Sequence, residues 1–270
     1  MRYVPGMGDG YALTLSADEI QRYTMMAELA RAAESELWDI AGLTTGAVVA
    51  DVGCGPGGMF PALVSAIGPS GRLVGVDGTA STAAAAQALV DANGWTNVTT
   101  QTGQATDTGL EPGTFDVVMM RHVLAHNGPI EQEIVSHLAT LLRPGGCVYL
   151  VDIDGTALRF LPYDEDADDL NNAYLRFHAA RGNDLMVGLR LRDLVTTAGL
   201  EPVEYRGWYN IVNPPPGVRP PSWAARDEMV AAGIATADDL PRWDAALDRV
   251  GAKNPTIFAS LFGVVGRRPA

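Results

Sequence analysis

The feature that most constrains this chain is an apolar run that ends in an aspartate and then breaks into glycines. Residues 48–58 read V-V-A-D-V-G-C-G-P-G-G, with four glycines in the last six positions. Glycine adopts positive φ at little steric cost and lets backbone N–H groups approach a ligand without a Cβ in the way. A helical pattern resumes over residues 59–67. The segment therefore predicts a buried strand, a tight loop and a helix, with a ligand over the carboxyl end of the strand.

Two kinds of ligand fit such a loop. Gly53, Gly55 and Gly58 satisfy the G-x-G-x-x-G pattern of dinucleotide binding, whereas Gly53, Gly55 and Gly57 satisfy the G-x-G-x-G pattern of methyltransferases. A dinucleotide brings an anionic pyrophosphate to the loop, but S-adenosylmethionine brings a sulfonium, an ammonium and one carboxylate. Asp51 precedes the first glycine by two residues, and its charge would repel a pyrophosphate and attract a cation. Charge therefore favours the second ligand.

A second acid follows the next predicted strand, Arg72–Val76. Asp77 lies 24 residues after Gly53, at a position where a carboxylate accepts hydrogen bonds from the vicinal hydroxyls of a ribose. Both ligands contain that ribose, so Asp77 indicates an adenosine-containing ligand without choosing between them. The alternative is that Asp77 caps the helix predicted to begin near Thr79.

Four blocks extend the pattern beyond the glycine loop: V-V-A-D-V-G-C-G-P-G-G, V-G-V-D-G-T, G-T-F-D-V-V-M-M-R-H-V-L-A-H and L-L-R-P-G-G. In order and spacing, from about residue 46 to 152, they resemble the motifs of class I S-adenosylmethionine-dependent methyltransferases. The UbiE-like small-molecule enzymes are the most similar group. The resemblance implies a Rossmann-like α/β fold, in which a mostly parallel seven-stranded sheet has an antiparallel last strand, with an N-terminal and an inserted helical lid.

The same resemblance implies that S-adenosyl-L-methionine is the cofactor and S-adenosyl-L-homocysteine its product. The implied cofactor-binding residues are Asp51, Gly53, Cys54, Gly55, Gly57, Asp77, Gly78, Thr79, Gln104, Ala105 and Arg121. One position departs from the family, which usually has an acid before the alanine that follows the third strand. Gln104 stands there instead, and its carbonyl oxygen can still accept a hydrogen bond from the adenine amino group.

Composition excludes several function classes. The 270 residues carry a net charge of −13 and a single lysine, Lys253, so a basic surface for nucleic acid or anionic membranes is not expected. The two cysteines, Cys54 and Cys147, cannot form a disulfide framework, and no residues show metal-ligand spacing. Residues 1–15 lack the apolar core of a signal peptide. These features predict a cytoplasmic protein that binds no metal and acts on a small molecule. They leave open whether the protein forms a homodimer.

Periodicity and resemblance together divide the chain into four parts. Residues 1–45 form a leader and a lid helix, which starts at a capping box in S-A-D-E. Residues 46–155 form the cofactor-binding core, where alternating strands and helices predict parallel strands with right-handed crossovers. Residues 156–200 form a helical cap, and residues 201–270 supply C-terminal strands with inserted helices that complete the sheet.

Methyl transfer from a sulfonium needs alignment and desolvation, and it needs a base only when the nucleophile must lose a proton. His126 lies in the R-x-x-L-x-H block, which faces the substrate cavity in the family, and imidazole accepts a proton near neutral pH. His178, on the predicted cap helix, is the second candidate for a catalytic residue. The alternative is that His126 caps the next helix or bonds a backbone carbonyl.

Aromatic and methionine side chains on the lid segments predict an apolar or aromatic acceptor. The predicted substrate residues are Tyr11, Tyr23, Met26, His126, Phe177, Trp208 and Tyr209; each alone also fits an ordinary core position. The leading hypothesis is a methyltransferase for a small natural-product or aromatic molecule. A nicotinamide-dependent oxidoreductase is disfavoured by Asp51 and by the N-terminal helix. A non-methylating scaffold of the same fold is the third hypothesis.

Overall fold

The computed structural model describes residues 17–215 and 217–270, without the side chains of residues 17–26, 28 and 29. Tyr11 therefore lies outside the described residues, as do the side chains of Tyr23 and Met26. The strands are β1 (Val48–Val52), β2 (Arg72–Asp77), β3 (Val98–Thr102), β4 (Phe115–Arg121), β5 (Leu142–Ile153), β6 (Arg159–Leu161), β7 (Glu201–Val212) and β8 (Thr256–Arg267).

Helices follow most of the strands, as the alternating pattern predicts. They are α1 (Ala17–Ala41), α2 (Phe60–Ile67), α3 (Ala80–Asn93), α4 (Glu131–Leu141), α5 (Glu165–Ala180), α6 (Leu191–Thr197), α7 (Pro221–Ala224), α8 (Arg226–Ala231) and α9 (Asp239–Gly251). Among the described residues, no helix is both long and apolar enough to cross a membrane.

The sheet has the order β3-β2-β1-β4-β5-β8, and β7 pairs with the outer side of β8. Strands β1 to β5 pair in parallel, and β8 runs antiparallel to β5 and β7. The predicted mostly parallel sheet with an antiparallel last strand is confirmed. The sheet also contains the short strand β6, which the sequence analysis did not predict. Its three residues pair with the first residues of β8, and three residues are too few to show an alternating pattern.

Burial on both faces explains why the central strands are almost continuously apolar. Val49, Val117 and Tyr149 point into the layer that contains α1, α2 and α3. Their sequence neighbours Val118 and Val148 point into the opposite layer, with α4 and α6. Because β1 pairs in parallel with β2 and with β4, the carboxyl ends of these three strands lie at one edge of the sheet. Parallel α/β folds bind their ligands at this edge.

A helical cap formed by α5, α7, α8 and α9 encloses a smaller core around Phe177 and Trp243. The acidic run at the start of α5 serves this packing. Asp164 accepts hydrogen bonds from the N–H groups of Asp166 and Ala167, and it pairs with Arg249 of α9 at 2.9 Å. Asp166 and Asp169 of the same run pair with Arg242 of α9, so these acids act as a helix cap and as ion-pair partners.

Candidate cofactor and acceptor site

The glycine loop leaves β1 in left-handed backbone conformations that suit glycine. Gly53, Gly55 and Gly57 have φ of 77°, 56° and 85°. A Cβ on Gly53 would lie 2.3 Å from Val123 Cγ2, and one on Gly57 would lie 2.9 Å from the ring of Phe60, whereas one on Gly55 would have no atom within 4 Å. Gly53 and Gly57 are thus closed in by protein, and Gly55 faces the open side where a ligand can approach.

Asp77, the last residue of β2, joins this loop to the start of α3. Its Oδ2 accepts a hydrogen bond from the Gly55 N–H at 3.0 Å, and its Oδ1 accepts one from the Thr79 N–H at 3.0 Å. A carboxylate has about four acceptor sites, so both oxygens retain capacity for ribose hydroxyls. The helix-capping and ligand-binding interpretations of Asp77 are therefore compatible. Gln104 is exposed beside it, with Nε2 3.5 Å from the carbonyl oxygen of Gly78.

The other predicted cofactor residues lie around this edge. The backbone N–H of Cys54 donates a hydrogen bond to the carbonyl oxygen of Val76. The side chain of Cys54 is buried, and burial, together with Asp51 and Asp77, raises the pKa of its thiol well above the usual value. The thiol therefore stays neutral under the loop and is no nucleophile. Ala105 is half-buried, next to Gln104.

Replacing Asp77 tests its predicted contact with the ribose. We expect Asp77→Ala to raise the Kd for S-adenosylhomocysteine about 10- to 150-fold, because hydrogen bonds to a charged group contribute about 1.5–3 kcal/mol. Isothermal titration calorimetry measures this, and Asp91→Ala, an exposed acid of α3 that bonds Gln87, is the matched control. An unchanged Kd for the Asp77 variant would remove Asp77 from the site.

Replacing Gly55 tests the open side of the loop. We expect Gly55→Ala to weaken S-adenosylhomocysteine binding by about tenfold or more, equivalent to about 1.4 kcal/mol, because the new Cβ enters the space that the ligand needs. Gly94→Ala is the control, since Gly94 also has positive φ and no atom within 4 Å of a Cβ, but it ends α3. Both variants carry the same backbone strain, so equal affinities would show that the ligand does not touch Gly55.

A buried group of charges lies beneath the loop. Arg121, at the end of β4, donates from Nη2 to Glu34 Oε1 at 2.5 Å, and its side chain is 8% exposed. The hydroxyl of Tyr149 donates to Glu34 Oε2 at 2.7 Å, and Glu34 is fully buried. Burial acts to lower the pKa of Arg121, but the Glu34 carboxylate raises it overall. Sequence reasoning found Arg121 but missed Glu34, which belongs to no motif in α1.

Asp51 lies on the same face as Arg121, since it pairs in register with Met119 of β4. It is 3% exposed, and burial raises its pKa to about 7, with Arg121 opposing the shift. Among the described residues, Asp51 Oδ2 and Arg121 Nε have no hydrogen-bond partner. One buried acceptor and one buried donor match the ammonium and the carboxylate of a methionine moiety. The residues present therefore fit S-adenosylmethionine.

The turn after β4 lies directly beside the glycine loop, because Val123 packs on Gly53. His122 has φ of 57°, a conformation rare outside glycine and common at functional sites. A short 3-10 turn, Leu124–His126, follows. Asp152 of β5, which the sequence analysis missed, holds this turn by accepting the Ala125 N–H on Oδ2 at 3.1 Å.

The structure brings together the two predicted catalytic histidines. The rings of His126 and His178 are 5.0 Å apart between centroids, and the ring of Tyr174 is 4.4 Å from that of His178. His178 is 8% exposed, and its Nδ1 lies 3.1 Å from Asn183 Nδ2. Burial, then His126 and Arg181, lowers the pKa of His178 to about 4. His178 is therefore neutral at physiological pH, whereas the ring of His126 is only half-buried.

The remaining predicted acceptor residues do not all meet at this place. Phe177 is buried 5.4 Å from His178 in the core of the cap. Trp208 lies on the α1 side of the sheet, against Gly263. Tyr209 is 55% exposed, with its ring against Phe258. Roles for Trp208 and Tyr209 in acceptor binding thus stay predictions.

The strand order, the glycine loop and the acid after β2 define the class I S-adenosylmethionine-dependent methyltransferase fold. Within it, residues 49–146 match the family model described as a methyltransferase domain, Methyltransf_25. Residues 49–146 are therefore similar to a methyltransferase domain, which agrees with the motifs of the sequence.

Three curated relatives match parts of the chain. An arsenite methyltransferase of Aquipseudomonas alcaligenes is 33% identical over 41% of this chain and 34% of its own length. A demethylmenaquinone methyltransferase of Lactococcus lactis is 30% identical over 40% of this chain and 42% of its own length. Nocamycin O-methyltransferase of Saccharothrix syringae is 32% identical over 46% of this chain and 44% of its own length. The chain spans less than half the length of each of these three.

Solved structures share the fold over most of the chain. A SAM-dependent methyltransferase of Aquifex aeolicus has a TM-score of 0.53 at 15% identity and covers 92% of this chain and 97% of its own. The [4+2]-cyclase SpnF has a TM-score of 0.54 at 18% identity and covers 92% and 81%. At such identities the likeness concerns the fold alone, and the second protein shows that one fold can serve different reactions.

Proposed function

We propose that the protein transfers the methyl group of S-adenosylmethionine to a small organic acceptor whose nucleophile is a neutral hydroxyl, such as a phenol or an enol. The observation that carries this proposal is the pairing of His126 with His178, in a turn whose Val123 packs against the glycine loop. Methyl transfer to a hydroxyl requires that its proton leave, and a neutral imidazole accepts it. The natural-product relative named above is consistent with such an acceptor.

The electrostatics of the histidine pair support one class of acceptor over the others. Burial, with His126 and Arg181 nearby, lowers the pKa of His178 to about 4, so His178 stays neutral and His126 is the proposed proton acceptor of the pair. An ammonium must also lose a proton before it accepts a methyl group, but the charge of Arg181 near His178 disfavours a cationic acceptor. A carboxylate would need no base. The rings of Tyr174 and Phe177 adjoin His178, which favours an apolar or aromatic acceptor. A neutral aromatic or enolic hydroxyl therefore suits the site best.

Each part of the chain then has a role in the reaction. When bound, the cofactor supplies an activated methyl group on a sulfonium. Asp77 would hold its ribose, and Asp51 and Arg121 would hold its amino-acid end. His126 takes the proton of the acceptor, while Asp152 and Asn183 keep the two imidazoles in place. The two buried, unpaired cysteines are consistent with action in a reducing cytoplasm.

A substrate panel tests the proposal. Release of S-adenosylhomocysteine is followed with phenols, enols, amines and carboxylic acids, and each active hydroxyl compound is compared with its own O-methyl ether as the blocked control. We expect turnover with a hydroxyl compound and none with its ether. Turnover confined to amines would contradict the acceptor class. Cofactor binding without any methyl transfer would favour a non-methylating role, as the cyclase fold suggests.

A further inference from the structure

We infer that helix α1 belongs to the cofactor site through Glu34, a positioning residue that holds Arg121 in place for the amino-acid end of S-adenosylmethionine. The inference rests on the cofactor of the proposed function and not on its acceptor. It assigns to α1 a part in cofactor recognition that no motif of the sequence indicates.

The contacts of Glu34 set it apart from an ordinary helix residue. Both of its oxygens are occupied, Oε1 by Arg121 and Oε2 by Tyr149, and these partners lie 87 and 115 residues away in sequence. A buried ion pair is an inefficient way to stabilise a fold, because apolar residues of similar volume often do as well or better. Its value here lies in where it holds the guanidinium.

Asp51 is the competing partner for Arg121. The two side chains lie on one face of adjacent strands, and each influences the ionisation of the other. Nevertheless Arg121 bonds Glu34, and Asp51 Oδ2 is left without a hydrogen-bond partner among the described side chains. Glu34 thereby keeps Asp51 free for an ammonium and Arg121 Nε free for a carboxylate. Without the charge of Glu34, Arg121 and Asp51 would pair with each other, and the ligand would lose both contacts.

Two ligands separate this role from a structural one. S-Adenosylhomocysteine carries the amino-acid end, whereas 5′-methylthioadenosine has the same nucleoside and sulfur without it. We expect Glu34→Gln to raise the Kd for S-adenosylhomocysteine about tenfold or more and to leave that for 5′-methylthioadenosine within about twofold. Glu36→Gln is the control. It is the same substitution on the same helix, but the side chain of Glu36 is 78% exposed and pairs with Arg206.

Calorimetry measures the Kd for S-adenosylhomocysteine directly and that for 5′-methylthioadenosine by competition, and each outcome supports or overturns the inference. Equal weakening of both ligands, or no weakening of either, would overturn the inference. Should Glu34→Gln not fold, Tyr149→Phe removes one hydrogen bond to Glu34 and keeps the ion pair; a smaller loss confined to S-adenosylhomocysteine supports the inference, and its absence refutes it. Wild-type protein that binds neither ligand would overturn it too, whereas selective binding without methyl transfer would sustain it and defeat only the proposed function.

Discussion

Replacement of His126 by alanine is expected to lower the turnover of methyl transfer by about 10²- to 10⁴-fold, the usual contribution of a general base. The affinity for S-adenosylhomocysteine should stay within about twofold, because the proposed cofactor contacts lie on β1, β2, the glycine loop and Arg121 at the end of β4, and His126 is not among them. Steady-state kinetics and calorimetry measure the two quantities separately. Added imidazole should restore part of the activity, which a purely structural histidine would not allow. Unchanged turnover would show that the acceptor needs no base.

The pH profile tests whether His178 changes its charge during the reaction. The pKa of His178 is lowered to about 4 by burial, His126 and Arg181, so His178 stays neutral from about pH 5 upward. Any loss of activity on acidification above pH 5 must therefore come from another group, such as Asp51, whose pKa burial raises to about 7. His178→Gln should therefore reduce turnover and leave the position of the acidic limb unchanged.

Much of the fold follows from local sequence. The apolar run before Gly53, the acid at Asp77 and the alternation of strands and helices are each written in fewer than about thirty consecutive residues, and the structure has these elements within a few residues of the predicted bounds. Strand β5 begins at Leu142, ahead of Pro144 and Gly145, because Leu142 already pairs with Phe115 before the ladder shifts register. Such pairing depends on a partner strand that the local pattern does not contain.

The residues that complete the site are the ones that local patterns cannot find. In the sequence, Glu34 is an ordinary acid in a helical pattern, and only the structure shows that Arg121 bonds it. Asp152 reads as the polar end of a buried strand, and only the fold places it under the turn that carries His126. Each depends on a contact between segments far apart in the chain. The motifs predict residues that bind the cofactor, and the tertiary contacts add residues that would position them.

Gly128 supplies a further contact of this kind. The turn that follows His126 touches the loop that follows α5, and a Cβ on Gly128 would lie 1.9 Å from the carbonyl oxygen of Gly182 and 2.8 Å from Asn183 Cα. No side chain fits there unless the two backbone segments move apart. His126 lies two residues before Gly128, and Asn183 bonds His178. The absence of a side chain at Gly128 thus permits the close approach of the two imidazoles.

Gly128→Ala is therefore expected to lower turnover by about 10²-fold, since a displacement of about 1 Å in a reacting group has an effect of that size. The affinity for S-adenosylhomocysteine should be retained, because the cofactor contacts lie on other loops. Gly251→Ala is the control, as Gly251 ends α9 and a Cβ there meets no atom within 4 Å. Equal turnover in the two variants would mean that the distance between the imidazoles does not limit the reaction. Loss of cofactor binding in Gly128→Ala would instead place this turn in the cofactor site, and the proton-accepting role of His126 would then depend on the imidazole rescue alone.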